Sequence, residues 1–196
     1  MKTPLLAVLL LALPAAAAVD YAKYQHPKGD FVLEYPSDWK RYFGMQTVWL
    51  EPPARESRAK VGLELHPYGK ETAKAAEFAE QLMKAVGEIK KLDTRAQAKV
   101  GGFPAERLAF TETLERKGPY GQKMPGPMQE VFYVVPVAAD WFYVLKLQGI
   151  GEPFKKALPE FERMAQKLVL KAPVLEEPKK KSGSKPARKP AKPAGG

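Results

Sequence analysis

The chain alternates before it turns helical. Phe31, Leu33 and Tyr35 alternate with Val32 and Glu34, and the run stops at Tyr35-Pro36-Ser37-Asp38-Trp39, which predicts a strand entering a turn. Trp39 is expected to fold back onto the core edge. A second short strand is predicted in MQTVWLEP, closed by Pro52-Pro53, and a third in AKVGLELHPY, where Val61, Leu63 and Leu65 alternate. The period then changes. Ala75, Phe78, Ala79, Leu82, Val86 and Ile89 fall on one face at helical spacing, with Thr72 placed as the cap. Four more strands follow: RAQAKV, ending at Gly101-Gly102; AERLAFTETL, with Leu108 and Phe110 on one face; QEVFYVVPV; and DWFYVLKLQG. The last two are apolar on both faces, which suits central strands covered on both sides. Phe154, Leu158, Phe161, Ala165 and Leu168 mark a final helix, in which Pro159 either sits in the first turn or makes a kink. Short links between neighbouring strands favour antiparallel pairing. The expected fold class is α+β: an antiparallel sheet of about six to seven strands flanked by helices.

The two ends follow other rules. Lys2, the apolar run Leu5–Leu13, Pro14 and the small residues Ala15–Ala18 read as a secretory signal peptide over residues 1–18, cut after Ala18. The run is shorter than the ~20 apolar residues that span a bilayer. No second long apolar run occurs, so the expectation is an exported protein, periplasmic or extracellular, that is soluble or peripheral after cleavage. Residues 19–172 are the expected globular domain. From Pro173 to Gly196 a Lys/Pro/Ala-rich tail has too little apolar surface to offset the entropy of ordering, and disorder is expected.

The formal net charge of +10 belongs mostly to that tail. Lys179, Lys180, Lys181, Lys185, Arg188, Lys189 and Lys192 lie there without an acid, and the body from Val19 to Glu177 carries only +2. These seven residues are candidate polyanion contacts, giving weak, salt-sensitive attraction to an anionic surface. Specific nucleic-acid recognition is not expected, because the tail has no aromatic residue for base stacking. Cysteine is absent, which excludes disulfides, thiolate nucleophiles, Cys-ligated metals and a lipidated N-terminal cysteine.

Three phrases resemble the PsbP-like domains. FVLEYPSDWKRY is similar to their opening strand and Tyr-Pro-x-x-Trp turn. VGGFPAERLAF is similar to their Gly-x-Pro-Ala turn into a strand, and DWFYVLKLQGIGEPFKKALPEFERMAQKLVL to their closing strand and helix. The resemblance runs from Tyr24 to Leu170. It implies an α/β/α sandwich on an antiparallel sheet, in a group that also includes a eukaryotic Ran-GTPase release factor. It also implies a mostly non-catalytic role. The photosynthetic members dock on photosystem II, and the bacterial relatives are exported. This chain departs from the photosynthetic pattern by its bacterial-type leader and its basic tail, so a photosystem role is not carried over. No metal ligand transfers, and no cofactor is implied.

Catalytic patterns are sparse. His26 and His66 each precede a proline, lack metal-ligand spacing, and are expected at surface turns. No G-x-S-x-G is present. Carboxylates such as Glu64 and Glu112 are expected on the solvent side of strands. Gly101–Glu106 precedes a strand rather than a helix, so a turn is expected there and not a phosphate cradle. The longest link, Glu115–Gln129, displays Arg116, Lys117, Tyr120, Lys123 and Met124 between two strands. Arg116, Lys117, Tyr120 and Lys123, with Lys40, Arg41 and Tyr42 just past the first turn, are the candidate partner contacts. The expected function is therefore an exported non-catalytic domain that docks on a protein or cell-envelope partner. One alternative is a small-ligand domain with a pocket between sheet and helix, lined by Trp39, Tyr42 and Trp49. A second is a hydrolase of unknown type.

Overall fold

The computed structural model describes residues 19–44, 47–53, 58–67, 74–84, 86–113, 121, 126–138 and 141–171. The expected leader, the basic tail and the candidate contacts Arg116, Lys117, Tyr120 and Lys123 lie outside the described residues.

The elements run β1 (Tyr21–Gln25), β2 (Phe31–Pro36), β3 (Lys40–Phe43), β4 (Thr47–Glu51), β5 (Lys60–Pro67), α1 (Ala75–Met83), β6 (Lys90–Val100), β7 (Phe103–Glu112), β8 (Met128–Ala138), β9 (Trp141–Ile150), α2 (Gly151–Lys167) and β10 (Val169–Leu170). Every pairing between these strands is antiparallel. The main sheet has seven strands in the order β3-β4-β5-β9-β8-β7-β6. The strand read at Phe31–Tyr35 does not join it. With β1 and β10 it forms a separate three-stranded sheet, order β1-β2-β10.

The apolar pattern explains the layers. Phe31, Leu33 and Tyr35 point inward from the small sheet and are buried with Trp39, Val48, Leu50, Tyr133, Tyr143, Phe161 and Met164 in one core between the main sheet, the small sheet and α2. A second, smaller core on the opposite face of the main sheet joins Ala79 of α1 to Leu108, Phe110, Phe132, Val134, Phe142 and Val144. The strands that are apolar on both faces, β8 and β9, feed both cores, as a centre covered on both sides requires. Tyr143 ties the layers together, its hydroxyl donating to the backbone oxygens of Asp30 and Lys171, each at 3.2 Å.

Several boundaries differ from expectation. α1 ends at Met83, although the helical spacing continues to Ile89. Gly87 takes φ 92°, a conformation that breaks the helix, and Ile89 is left 41% exposed. Thr72 lies outside the described residues, and the helix starts after Lys74, whose backbone N–H donates to the Glu77 carboxylate at 3.3 Å. α2 begins at Gly151, about a turn before the apolar stripe, and continues through Pro159, whose side is exposed. Gly101 and Gly102, at φ 55° and 85°, make the tight β6–β7 turn. Only glycine fits the first position, since a Cβ there would lie 2.3 Å from the Leu168 carbonyl oxygen.

Candidate functional site at the β3 edge

The turn that ends β2 sets up the site. Trp39 N–H donates to the Pro36 carbonyl at 3.1 Å, so the chain reverses within a few residues and Trp39 enters the core. Lys40–Phe43 then runs as the outermost strand of the main sheet, and all four residues are exposed. Gly44 N–H donates to Thr47 O at 2.8 Å and closes the β3–β4 hairpin. Hydrogen-bonded and non-hydrogen-bonded pairs alternate along an antiparallel ladder. Counted from Gly44–Thr47, the backbone groups of Tyr42 and Lys40 face Trp49 and Glu51 of β4. Those of Arg41 and Phe43 face away from the sheet, where no described strand pairs with them.

The side chains of β3 divide between two faces. Arg41 and Phe43 turn toward the small sheet. The Phe43 and Tyr24 rings lie 4.9 Å apart between centroids. The Arg41 guanidinium sits 4.9 Å from the Phe43 centroid, 5.8 Å from Tyr24 and 5.9 Å from Tyr35, and its Nη1 donates to the Tyr35 hydroxyl at 2.8 Å. Among the described residues no carboxylate pairs with Arg41 or with Lys40.

Tyr42 turns to the opposite face, beside Trp49, its register partner. The Trp49 ring lies across Gly62, where a Cβ would come within 2.8 Å of Trp49 Cζ3. Tyr42 donates its hydroxyl to Glu51 at 3.1 Å. That bond first, and loss of hydration second, raise the Tyr42 phenol above its ordinary pKa. Tyr42, Trp49, Leu50, Glu51, Lys60 and Gln148 line an open groove of about 430 Å³. Among the described residues no helix residue lines this groove. Hollows between sheet and helix do exist, one of about 320 Å³ beside Phe154 and Leu158 of α2 and one of about 190 Å³ beside Ala75 and Ala76 of α1, but the expected lining residues Trp39, Tyr42 and Trp49 line neither. Trp39 is not part of the groove, because it is packed in the core.

Beyond the groove, Gln148 pairs in register with Glu130, a buried carboxylate. Lys146 Nζ reaches it at 2.8 Å and Lys90 Nζ also bonds to it, while these ammonium groups lie 5.0 Å from the Phe132 ring and 5.7 Å from the Phe110 ring. Burial alone would raise the Glu130 pKa. The hydrogen bonds and charges of Lys146 and Lys90 outweigh it and hold the carboxyl below its ordinary range. A general acid near neutral pH needs the opposite shift, so this cluster reads as a closed ion triad. On the other face, Glu162 accepts from Arg107 and from Tyr133, and burial followed by Glu162 pushes the Tyr133 phenol up to about 12.

Two sequence expectations are corrected here. Glu112 is buried rather than solvent-facing, at the end of β7. His26 does sit at the turn after β1, where its carbonyl oxygen accepts from Gly29 N–H at 2.7 Å, but its side chain is largely buried rather than on the surface. Its backbone N–H donates to Phe31 O, its ring stacks on Phe31 at 4.9 Å, and its Nδ1 lies 2.9 Å from an Asp30 carboxylate oxygen, out of line for a hydrogen bond. His66 lies in β5, opposite Phe142.

Of the candidate contacts in the described residues, Lys40, Arg41 and Tyr42 all lie on β3, which presents Arg41 and Tyr42 to different faces. Sequence reasoning missed Phe43, Tyr24, Lys60 and Gln148. Only strand pairing brings them to one edge, and no local pattern marks them.

No protein-family model matches the sequence, and no curated protein matches it. Solved structures do. The cyanobacterial PsbP of Synechocystis superposes with a TM-score of 0.52 at 9% identity, over 83% of this chain and 99% of its own. The chain has the PsbP/Mog1-like fold. The Ran-binding protein Mog1p of Saccharomyces cerevisiae gives 0.52 at 7% identity, over 78% and 96% of the two chains. LpqN of Mycobacterium tuberculosis, involved in cell envelope biogenesis, gives 0.54 at 11%, over 79% and 92%. The expected α+β sandwich on an antiparallel sheet is thus observed, with the small second sheet added to it. Among the described residues no helix is long and apolar enough to cross a membrane.

Proposed function

We propose that this chain is an exported, non-catalytic PsbP-like domain that docks on a protein of the cell envelope. The observation that carries this reading is β3: an edge strand whose Tyr42 and Phe43 stay 51% and 54% exposed beside two cations that no acid pairs among the described residues. Buried sheet positions leave such aromatics no reason to face water, whereas interface centres favour Tyr, Phe and Arg. Two proteins of the same fold point the same way, one Ran-binding and one involved in cell envelope biogenesis. The leader-like residues 1–18 support export. Arg116, Lys117, Tyr120 and Lys123 would extend the docking surface, and the seven basic residues of the tail would add weak attraction to an anionic surface.

Replacing Tyr42 and Phe43 together with serine tests the reading. The double variant should fold with an unchanged far-ultraviolet spectrum and lose its crosslinked partner in the envelope fraction. Retention of the same partner would exclude β3 as the docking strand. A second reading, capture of a small ligand, is favoured by the groove itself, where Trp49 forms an aromatic wall beside Glu51, Lys60 and Gln148.

A further inference from the structure

The main sheet has two edges, and they are finished differently. On β6 three of the four cations are matched, with Lys99 the exception: Lys90 to Glu130, Lys91 to Asp93 at 3.6 Å, and Arg95 to both Glu80 and Glu106 at 2.8 and 2.6 Å. A register shift between Leu92 and Thr94 also bends that edge. Ion pairs and bulges of this kind protect an edge from further pairing. β3 has neither. Lys40 and Arg41 carry no acid partner among the described residues, and the strand pairs with β4 without a shift. Basic side chains alone could serve as protection, but protection does not account for two exposed aromatics on the same four residues.

Arg41 is also prepared for a ligand. Three rings surround its guanidinium and one nitrogen is fixed by Tyr35, so the plane is set while donors remain for a carboxylate, which matches that fork. The outward N–H and C=O of Arg41 and Phe43 add a second requirement. They need a partner with alternating donors and acceptors at strand spacing. An extended peptide supplies both, and a lipid headgroup supplies only the anion.

We infer that β3 takes an extended acidic peptide as an eighth strand, with a carboxylate of that peptide seated on Arg41. The inference rests on the docking reading above and names the chemistry of the partner.

The test pans a phage-displayed library of random nine-residue peptides on the full chain, with an Arg41→Gln variant in parallel. Both proteins keep the basic tail, so peptides held by the tail alone enrich equally on both. Acidic peptides should enrich on the wild-type chain and bind Arg41→Gln about tenfold or more weakly, the loss expected for a charge-assisted hydrogen bond. In the complex, amide exchange should slow at Arg41 and Phe43 and stay unchanged at Tyr42, which already faces β4. Enriched peptides without acids, equal binding to Arg41→Gln, or slowed exchange elsewhere would overturn the inference. If the crosslinked envelope partner survives that outcome and still depends on Tyr42 and Phe43, docking at β3 stands and only its acidic-peptide chemistry falls.

Discussion

The Arg41 guanidinium of the main sheet donates a 2.8 Å hydrogen bond to the Tyr35 hydroxyl of the small sheet. Tyr35 is buried, so the bond anchors an exposed cation to an immobile point. A side chain held this way loses less rotamer freedom when a partner arrives. Tyr35→Phe keeps the ring and removes the bond. It should cost about 0.5–1.5 kcal/mol in urea unfolding, the usual worth of one hydrogen bond. It should also broaden the Arg41 guanidinium N–H resonances. Sharp, unshifted resonances would show that Tyr35 does not position Arg41.

Trp39 ends the first turn and is only 8% exposed, against Phe31, Leu33 and Tyr35 in the same core. Trp39→Ala should destabilise the fold by about 3–5 kcal/mol, as large buried aromatics do. Chemical denaturation measures it, and a loss near zero would place Trp39 outside the core.

Gly62 lets the Trp49 ring lie on the sheet. Gly62→Ala places a methyl 2.8 Å from Cζ3 of a rigid ring, so Trp49 has to move. The expected cost is about 1–3 kcal/mol for overpacking, with a shift of the Trp49 indole N–H resonance. An unshifted resonance would mean that the groove wall is not set by Gly62.

Two groups set limits on pH stability. The Glu130 pKa lies below its ordinary value of 4.5 in the folded chain, so its contribution is present above that value and lost as pH falls through the folded pKa. The Tyr133 pKa is raised from 10.0 to about 12. Its contribution is full below 10.0 and lost as pH rises toward 12. Unfolding free energy against pH should therefore fall on both sides. Glu130→Gln should flatten the acid limb and Tyr133→Phe the alkaline limb, and an unchanged limb in either variant would remove that group from the account.

The basic residues beyond Pro178 bear on surface attraction alone. Deleting residues 178–196 should leave the melting temperature nearly unchanged and weaken retention on anionic vesicles at low salt, where exposed charges are least screened. Equal retention with and without the tail would end the polyanion proposal.

Much of the fold was legible because burial repeats at the strand and helix periods. The alternation at Phe31, Leu33 and Tyr35 and the doubly apolar β8 and β9 are direct records of packing. β3 was not legible. Lys40-Arg41-Tyr42-Phe43 has no alternation, and its strand geometry comes from pairing with β4. β10, only two residues long, is set by β2 in the same way. Sheet membership was also hidden, since the inward pattern of β2 is the same in either sheet. The role of Glu130 was not legible either, because its partners Lys90 and Lys146 arrive from β6 and β9. Lys40, Arg41 and Tyr42 could be named from their place after the turn, but not that β3 presents them at a free edge.

The most direct test of docking at β3 is photocrosslinking in intact cells, with a photoreactive phenylalanine at Tyr42 in one strain and at Gln97, exposed on the β6 edge, in another. The account predicts a discrete protein adduct from position 42 that disappears with Arg41→Gln and is absent from position 97. The same adduct from both positions, or an adduct from 42 that persists in Arg41→Gln and in the Tyr42/Phe43 serine background, would contradict it.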